Sequence, residues 1–193
     1  MLERLYHRTM GLAAHRHALW VLALVSFIES SIFPIPPDVL LVPMVLARRR
    51  RAWRIAAVCT AGSVLGGLAG YFIGYFLFES LGRPLIDLYG HGEQFTRFQA
   101  SYNAWGWWIV TGAGLTPFPY KVVTIASGVT GLDMTTFVLA SLLSRGARFF
   151  AEAGLLWYFG PPLKAFIERR MGLVATVFFL LLLGGFVLVG YVL

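Results

Sequence analysis

The chain has 193 residues, 58% of them apolar and only 13% charged, about half the charged share of an ordinary soluble domain. With a mean hydropathy of +0.73, these values exclude a soluble globular fold. The long apolar runs lack the two-residue alternation of a membrane barrel, so an all-α integral membrane protein is expected. A net charge of +7 would suggest a nucleic-acid partner for a soluble protein. Here the basic residues flank apolar runs, as cytoplasmic flanks do, and no nucleic-acid partner is expected.

Residues 1–17 are basic and suit a short interfacial helix. Arg4, Arg8 and Arg16 ahead of an apolar stretch resemble a signal peptide, but no A-x-A-like cleavage site follows and the segment is expected to be retained. The run from Ala18 to Phe33 falls short of the roughly 20 residues of a full span. It is broken by Phe33-Pro34-Ile35-Pro36-Pro37-Asp38, and the return from Val39 to Ala47 is too short to cross. Irregular backbone survives at membrane depth only where protein or a water-filled cavity covers it. Residues 18–47 are therefore predicted as a re-entrant helical hairpin, which places the N-terminus and the Arg48–Arg51 cluster on one face.

Residues 55–78 are predicted as a transmembrane helix. Gly62, Gly66, Gly70 and Gly74 form a small-residue stripe suited to close helix packing. Cys59 can form no internal disulfide and is expected to pack. Residues 79–104 form a polar periplasmic connection, with Gly82-Arg83-Pro84 as a breaker and a short amphipathic helix near Glu93 to Tyr102. Trp105, Trp107 and Trp108 suit an interface. Residues 105–131 repeat the hairpin pattern around Thr116-Pro117-Phe118-Pro119-Tyr120-Lys121. Residues 134–160 form the next transmembrane helix, ended by Pro161-Pro162, and residues 172–193 a last one.

Pro34-x-Pro36-x-Asp38 and Pro117-x-Pro119-x-Lys121 superpose at an offset of 83 residues. One crossing helix separates the two hairpins, so the second enters from the opposite face. The expected fold is a single membrane domain of two inverted-topology repeats, each a re-entrant hairpin plus a transmembrane helix, with an extra C-terminal helix. In this topology eleven of the sixteen Lys and Arg residues lie on the cytoplasmic side with the N-terminus.

Six charged residues are predicted inside the hydrocarbon zone: Glu29, Asp38, Lys121, Arg145, Arg148 and Glu152. Each costs about 2.5–3.5 kcal/mol at a helix centre on insertion scales. Arg145, Arg148 and Glu152 share one helix face, and Arg148 and Glu152 are an i, i+4 pair. One reading is mutual neutralisation as structural glue. The other is a polar cavity at the hairpin tips, in which Lys121, Arg145 and Arg148 bind a phosphate. Glu29, Asp38 and Glu152 would then carry protons or line the cavity. The breaks at Pro34, Pro36, Pro37, Pro117 and Pro119 would turn helix N-termini toward the anion. The four histidines, at 7, 15, 17 and 91, lie outside the spans, and no His/Cys metal cluster or D-G…A-R transferase pattern is present. No catalytic residue, metal or cofactor is expected, and the protein is predicted not to be an enzyme.

The residues Phe27-Ile28-Glu29…Pro36-Pro37-Asp38-Val39-Leu40-Leu41 and Thr116-Pro117-Phe118-Pro119-Tyr120-Lys121…Ala126-Ser127-Gly128 resemble the DedA family, whose VTT domain is shared with eukaryotic lipid scramblases. The resemblance covers roughly residues 20–160 and is closest to the YqaA-like branch. It implies a multi-pass protein of the bacterial inner membrane that moves a lipid such as undecaprenyl phosphate or a phospholipid, with proton coupling. Family carboxylates match Glu29 and Asp38, and the family's proline-then-basic feature matches Pro117 and Lys121. A family arginine before the second break corresponds to Gly114, and Arg145 and Arg148 are expected to take over its charge. The leading function is therefore a flippase or scramblase of an anionic phosphate-bearing lipid, with membrane lipids as partners; a homo-oligomer is compatible with it. The alternatives are an ion- or proton-coupled transporter of a small solute and a non-transporting membrane scaffold.

Overall fold

Proline decides where the first helix stops. Without an amide hydrogen, Pro36 and Pro37 cannot continue a hydrogen-bond ladder, but their fixed φ suits the start of the next helix. In the computed structural model, which describes residues 17–32, 36–84, 86, 92–116 and 118–169 (for 161–169 the helix backbone alone), α1 runs Ala18–Ser31 and α2 Asp38–Ala47. The carbonyl of Pro37 accepts from the amides of Leu40 and Leu41, both at 2.9 Å, and that of Pro36 from Val39. After a short 3₁₀ turn at Arg49–Arg51 come α3 (Ala52–Leu77) and a π-helical turn at Phe78–Gly82. Then follow α4 (Gly92–Leu115), α5 (Tyr120–Val129) and α6 (Met134–Arg169). Pro119 starts α5 as Pro37 starts α2, its carbonyl accepting from Val122 at 3.0 Å. Pro34 and Pro117 lie outside the described residues. No strand occurs among the described residues.

The glycine stripe of α3 carries two short helices in line. Gly62 and Gly66 lie against the backbone of Ala23 and Phe27 on α1, and Gly70 meets Ser30 of α1 and Thr124 of α5. Gly74 lies against Ile125 of α5, and Gly128 against the backbone of Tyr71 and Tyr75 on α3. A Cβ at Gly66 or Gly128 would overlap main chain, which cannot yield as a flexible side chain does. The contacts advance in the same order along each helix, so α1 and then α5 run parallel to α3 and meet at Gly70. Four-residue spacing of glycine permits this because backbone atoms approach along one face.

A second pair succeeds itself along α6. Gly106 of α4 packs on Leu132 just ahead of α6, and Gly114 on Ser144 and Arg145. Past that point α2 takes over, with Leu41, Met44 and Val45 in one apolar cluster with Phe149, Ala153 and Leu156. A second cluster, including Tyr71, Val110, Tyr120, Val123 and Phe137, fills the other end. The helical breaks fall between these two cores.

Two expected boundaries differ. The connection predicted at 79–104 is helical from residue 92, and α4 runs without interruption from Gly92 through the Trp cluster to Leu115. Its polar first half is held by tertiary bonds that the pattern does not reveal: Gln99 and Asn103 both donate to the Thr130 carbonyl, at 2.7 and 3.0 Å. Pro161-Pro162 does not end α6, which continues to Arg169. The two prolines leave the carbonyls of Trp157 and Tyr158 without their i+4 amide donors. Arg49 replaces both: its Nη2 donates to the Trp157 and Tyr158 carbonyls, in space left by Gly160, where a Cβ would come 3.0 Å from Arg49 Nε. Asp133 caps the start of α6, its carboxylate accepting from the Thr136 amide at 2.7 Å and hydroxyl at 2.9 Å. Among the described residues one stretch, Arg49–Gly82, is long and apolar enough to cross a membrane; α1 and α2 are shorter apolar helices. The span predicted at 172–193 lies outside the described residues.

Candidate functional site

The level at which α1 gives way to α5, and α4 to α2, is where the charges gather. Arg145 reaches from α6 to α1 and α3. Its Nη2 pairs with Glu29 Oε2 at 2.9 Å and its Nε donates to Ser63 Oγ at 2.6 Å. Ser30 Oγ donates to the same Glu29 oxygen at 3.0 Å and lies 2.7 Å from Ser63 Oγ. The guanidinium lies over the rings of Tyr120 and Phe149, 4.8 and 4.7 Å from their centroids. Planar, weakly hydrated guanidinium suits such stacking on ring faces. Arg145 is only 2% exposed, so this is a buried ion pair, with Nε and Nη2 both engaged.

One turn along, Arg148 joins the two breaks. Its Nη2 pairs with Asp38 Oδ2 at 2.8 Å, at the first residue after the first break. Its Nη1 donates to the Thr116 carbonyl at 3.3 Å, just before the second. The Arg148 side chain is 25% exposed and that of Asp38 20%. The i, i+4 partner Glu152 is not the carboxylate that Arg148 pairs with; it lies within electrostatic reach of Asp38, Arg148 and Arg145.

Lys121 differs from both arginines. Its Nζ donates to the Ile32 carbonyl at the end of α1, at 3.4 Å, and it has no carboxylate in ion-pair range among the described residues. The adjoining Thr124 Oγ1 donates to the Ser30 carbonyl at 3.2 Å, so the start of α5 abuts the end of α1. All six charged residues singled out in the sequence thus lie around one junction. Gly114, the position of the missing family arginine, lies 3.6 Å from Arg145 Cδ by its built Cβ, so Arg145 runs past that place.

Ser30, Ser63, Tyr120 and Phe149 were not foreseen as partners. A signal for the serines exists: Ser26 and Ser30 on α1 face Cys59 and Ser63 on α3, and both pairs are four residues apart. Ser26 Oγ donates to the Cys59 carbonyl at 2.7 Å. Two matched small-polar ladders are what close helices at membrane depth use.

Ser63 lies eleven residues beyond Ala52, about 17 Å along the axis, near the middle of the stretch Arg49–Gly82 that is long and apolar enough to cross a membrane. An all-helical chain with such a stretch, and with broken helices meeting around charges, has the make-up of a membrane protein. Residues 35–158 match the VTT domain, and the chain belongs to the VTT-domain (DedA) family. It is 34% identical to an uncharacterized protein of Haemophilus influenzae over 88% of each chain. It is 36% identical to an uncharacterized protein of Histophilus somni over 92% of this chain and 96% of that one. The Golgi apparatus membrane protein TVP38 of Eremothecium gossypii is 30% identical over 49% of this chain and 29% of its own. No solved structure matches.

Proposed function

We propose that the protein moves the phosphate headgroup of an anionic lipid across the bacterial inner membrane through the junction of its broken helices, with the acyl tails left in the bilayer. The observation that carries this is the meeting of both breaks at one level, with Lys121 there as a cation that has no carboxylate partner among the described residues. Arg148, partly exposed and held by a single carboxylate, supplies a planar fork for the phosphate beside it. Arg145 and Glu29 form the wall. Asp38 and Glu152 are the groups assigned to proton exchange, and the N-terminus is assigned to the cytoplasm with both hairpins re-entrant. No bond is made or broken, and the activity is transport without catalysis.

A second reading has its own support. Arg145 and Arg148 are already neutralised by Glu29 and Asp38, as in a scaffold that only needs its charges matched. Liposomes carrying headgroup-labelled phosphatidylglycerol or undecaprenyl phosphate separate the two. Purified protein is expected to expose inner-leaflet label to an impermeant quencher, faster under a proton gradient. No movement at any pH or gradient sinks transport in favour of the scaffold.

A further inference from the structure

The far end of the bundle holds a cavity that the charged junction does not use. Its volume is ≈ 370 Å³, within the usual range of small-molecule sites, roughly 300–1,000 Å³. Glu79 lies sixteen residues beyond Ser63, about 24 Å along the helix axis. From Ala52 to Glu79 the chain rises about 40 Å, close to a bilayer's thickness with its headgroups, about 40–45 Å. The cavity therefore opens at the headgroup level of the leaflet opposite the Arg48–Arg51 cluster.

Its walls are of two kinds. Tyr75, Phe78 and Phe95 form an aromatic side, with Phe78 and Phe95 stacked at 4.6 Å between centroids. Glu79, Arg83 and Gln99 form a polar side, where Arg83 Nη2 pairs with Glu79 Oε1 at 3.0 Å. The π-helical turn Phe78–Gly82 sets both sides, and turns of this kind recur where a helix departs from regularity for function. Gly82 is part of the fit, since a Cβ there would come 2.5 Å from Phe78 Cδ2.

We infer that this cavity binds a phosphate–ammonium zwitterion, the chemistry of a phosphoethanolamine headgroup. The inference rests on the lipid-moving reading and adds a second headgroup class, a neutral zwitterion, to the anionic one assigned to the junction. Arg83 takes the phosphate through its fork. Glu79 takes the ammonium, and the aromatic faces add attraction for it. The resident pair yields readily, because it is an exposed i, i+4 pair, 61% and 39% exposed, and such pairs are weak. A ligand carrying both charges replaces both partners at once, whereas a bare anion leaves Glu79 repelling it. The site thereby prefers a neutral zwitterion, in contrast to the cationic junction below.

The test uses full-length protein in phosphatidylglycerol nanodiscs, titrated with glycerophosphoethanolamine and, in parallel, glycerophosphoglycerol, with binding read by calorimetry. Saturable binding of the first is expected, weakened about tenfold by Arg83→Ala and far less by Arg83→Lys. Glu79→Gln is expected to bring the two probes to nearly equal affinity. These variants are scored on folded protein by thermal melt, and the Arg83→Lys and Glu79→Gln pair decides if Arg83→Ala does not fold. Repeating the titration in phosphatidylethanolamine nanodiscs assigns the source: weakened probe binding means the lipid itself occupies the site, and unchanged binding means a free solute does. No saturable binding to wild type, or affinities unmoved by Glu79→Gln and Arg83→Lys/Ala, overturns the inference. Lipid movement without probe binding removes this site alone; probe binding without lipid movement removes the transport reading alone.

Discussion

Arg145 and Arg148 are the same residue type, one turn apart on one helix, each paired with a carboxylate from the first hairpin segment. Arg145 is enclosed, lies over two aromatic rings and shares its carboxylate with a serine. Arg148 is a quarter exposed and divides its bonds between Asp38 and a main-chain carbonyl. The difference teaches that charge at membrane depth is not one kind of evidence. A buried pair enclosed by its neighbours holds helices together, while a partly exposed pair can exchange partners.

The comparison can be broken at its stronger end first. Arg145→Ala leaves Glu29 without its cation, and losing one partner of a buried ion pair costs about 3–5 kcal/mol; the purified protein should unfold far earlier in a denaturant or thermal series. The double substitution Glu29→Leu with Arg145→Met should recover most of that loss, and failure to recover would mean that the pair does more than hold the wall. Arg148→Ala should act on transport more than on folding, lowering the liposome rate about tenfold, the effect of losing one charge-assisted bond of about 1.4 kcal/mol. A large stability loss without a transport defect would erase the distinction between the two arginines. Lys121→Ala should slow transport several-fold while stability moves within about 0.5 kcal/mol, and unchanged transport would remove Lys121 from the site.

The smallest effect concerns Asp133, outside the charged junction. The Thr136 amide, and then its hydroxyl, hold the Asp133 carboxyl below the usual aspartate range. The unfolded chain therefore takes up this proton more readily than the folded one. The cap's contribution is fully present above the ordinary aspartate pKa and disappears as pH falls through the lowered folded value. Asp133→Ala should lower the melting temperature slightly at neutral pH, and the gap to wild type should close as pH falls below the ordinary aspartate range. A gap that widens on acidification would contradict the cap.

What was legible in the chain was what is local. The two proline breaks and the glycine stripe follow from residue spacing and fall where the helices end and pack, and the six charges singled out gather between the breaks. Partner choice was not legible: Arg148 has Glu152 at i, i+4, yet pairs with Asp38, 110 residues away in the chain. Short-range arithmetic cannot weigh that, because the cost of a buried carboxylate is settled by whichever cation the fold brings to it. The first half of α4 was hidden for a similar reason. Its Gln99, Tyr102 and Asn103 look solvated in sequence, but they bond to the end of α5.

The arginine that meets α6 just ahead of its proline pair has a mechanical meaning. Arg49 belongs to the link between α2 and α3, and it grips two carbonyls that Pro161 and Pro162 leave bare. The two helical halves of the bundle are thus pinned at the basic end, well away from the junction. If the breaks are to separate and let a headgroup through, the motion is a scissoring about that pin. The opening should be widest at the far leaflet and smallest where Arg49 sits.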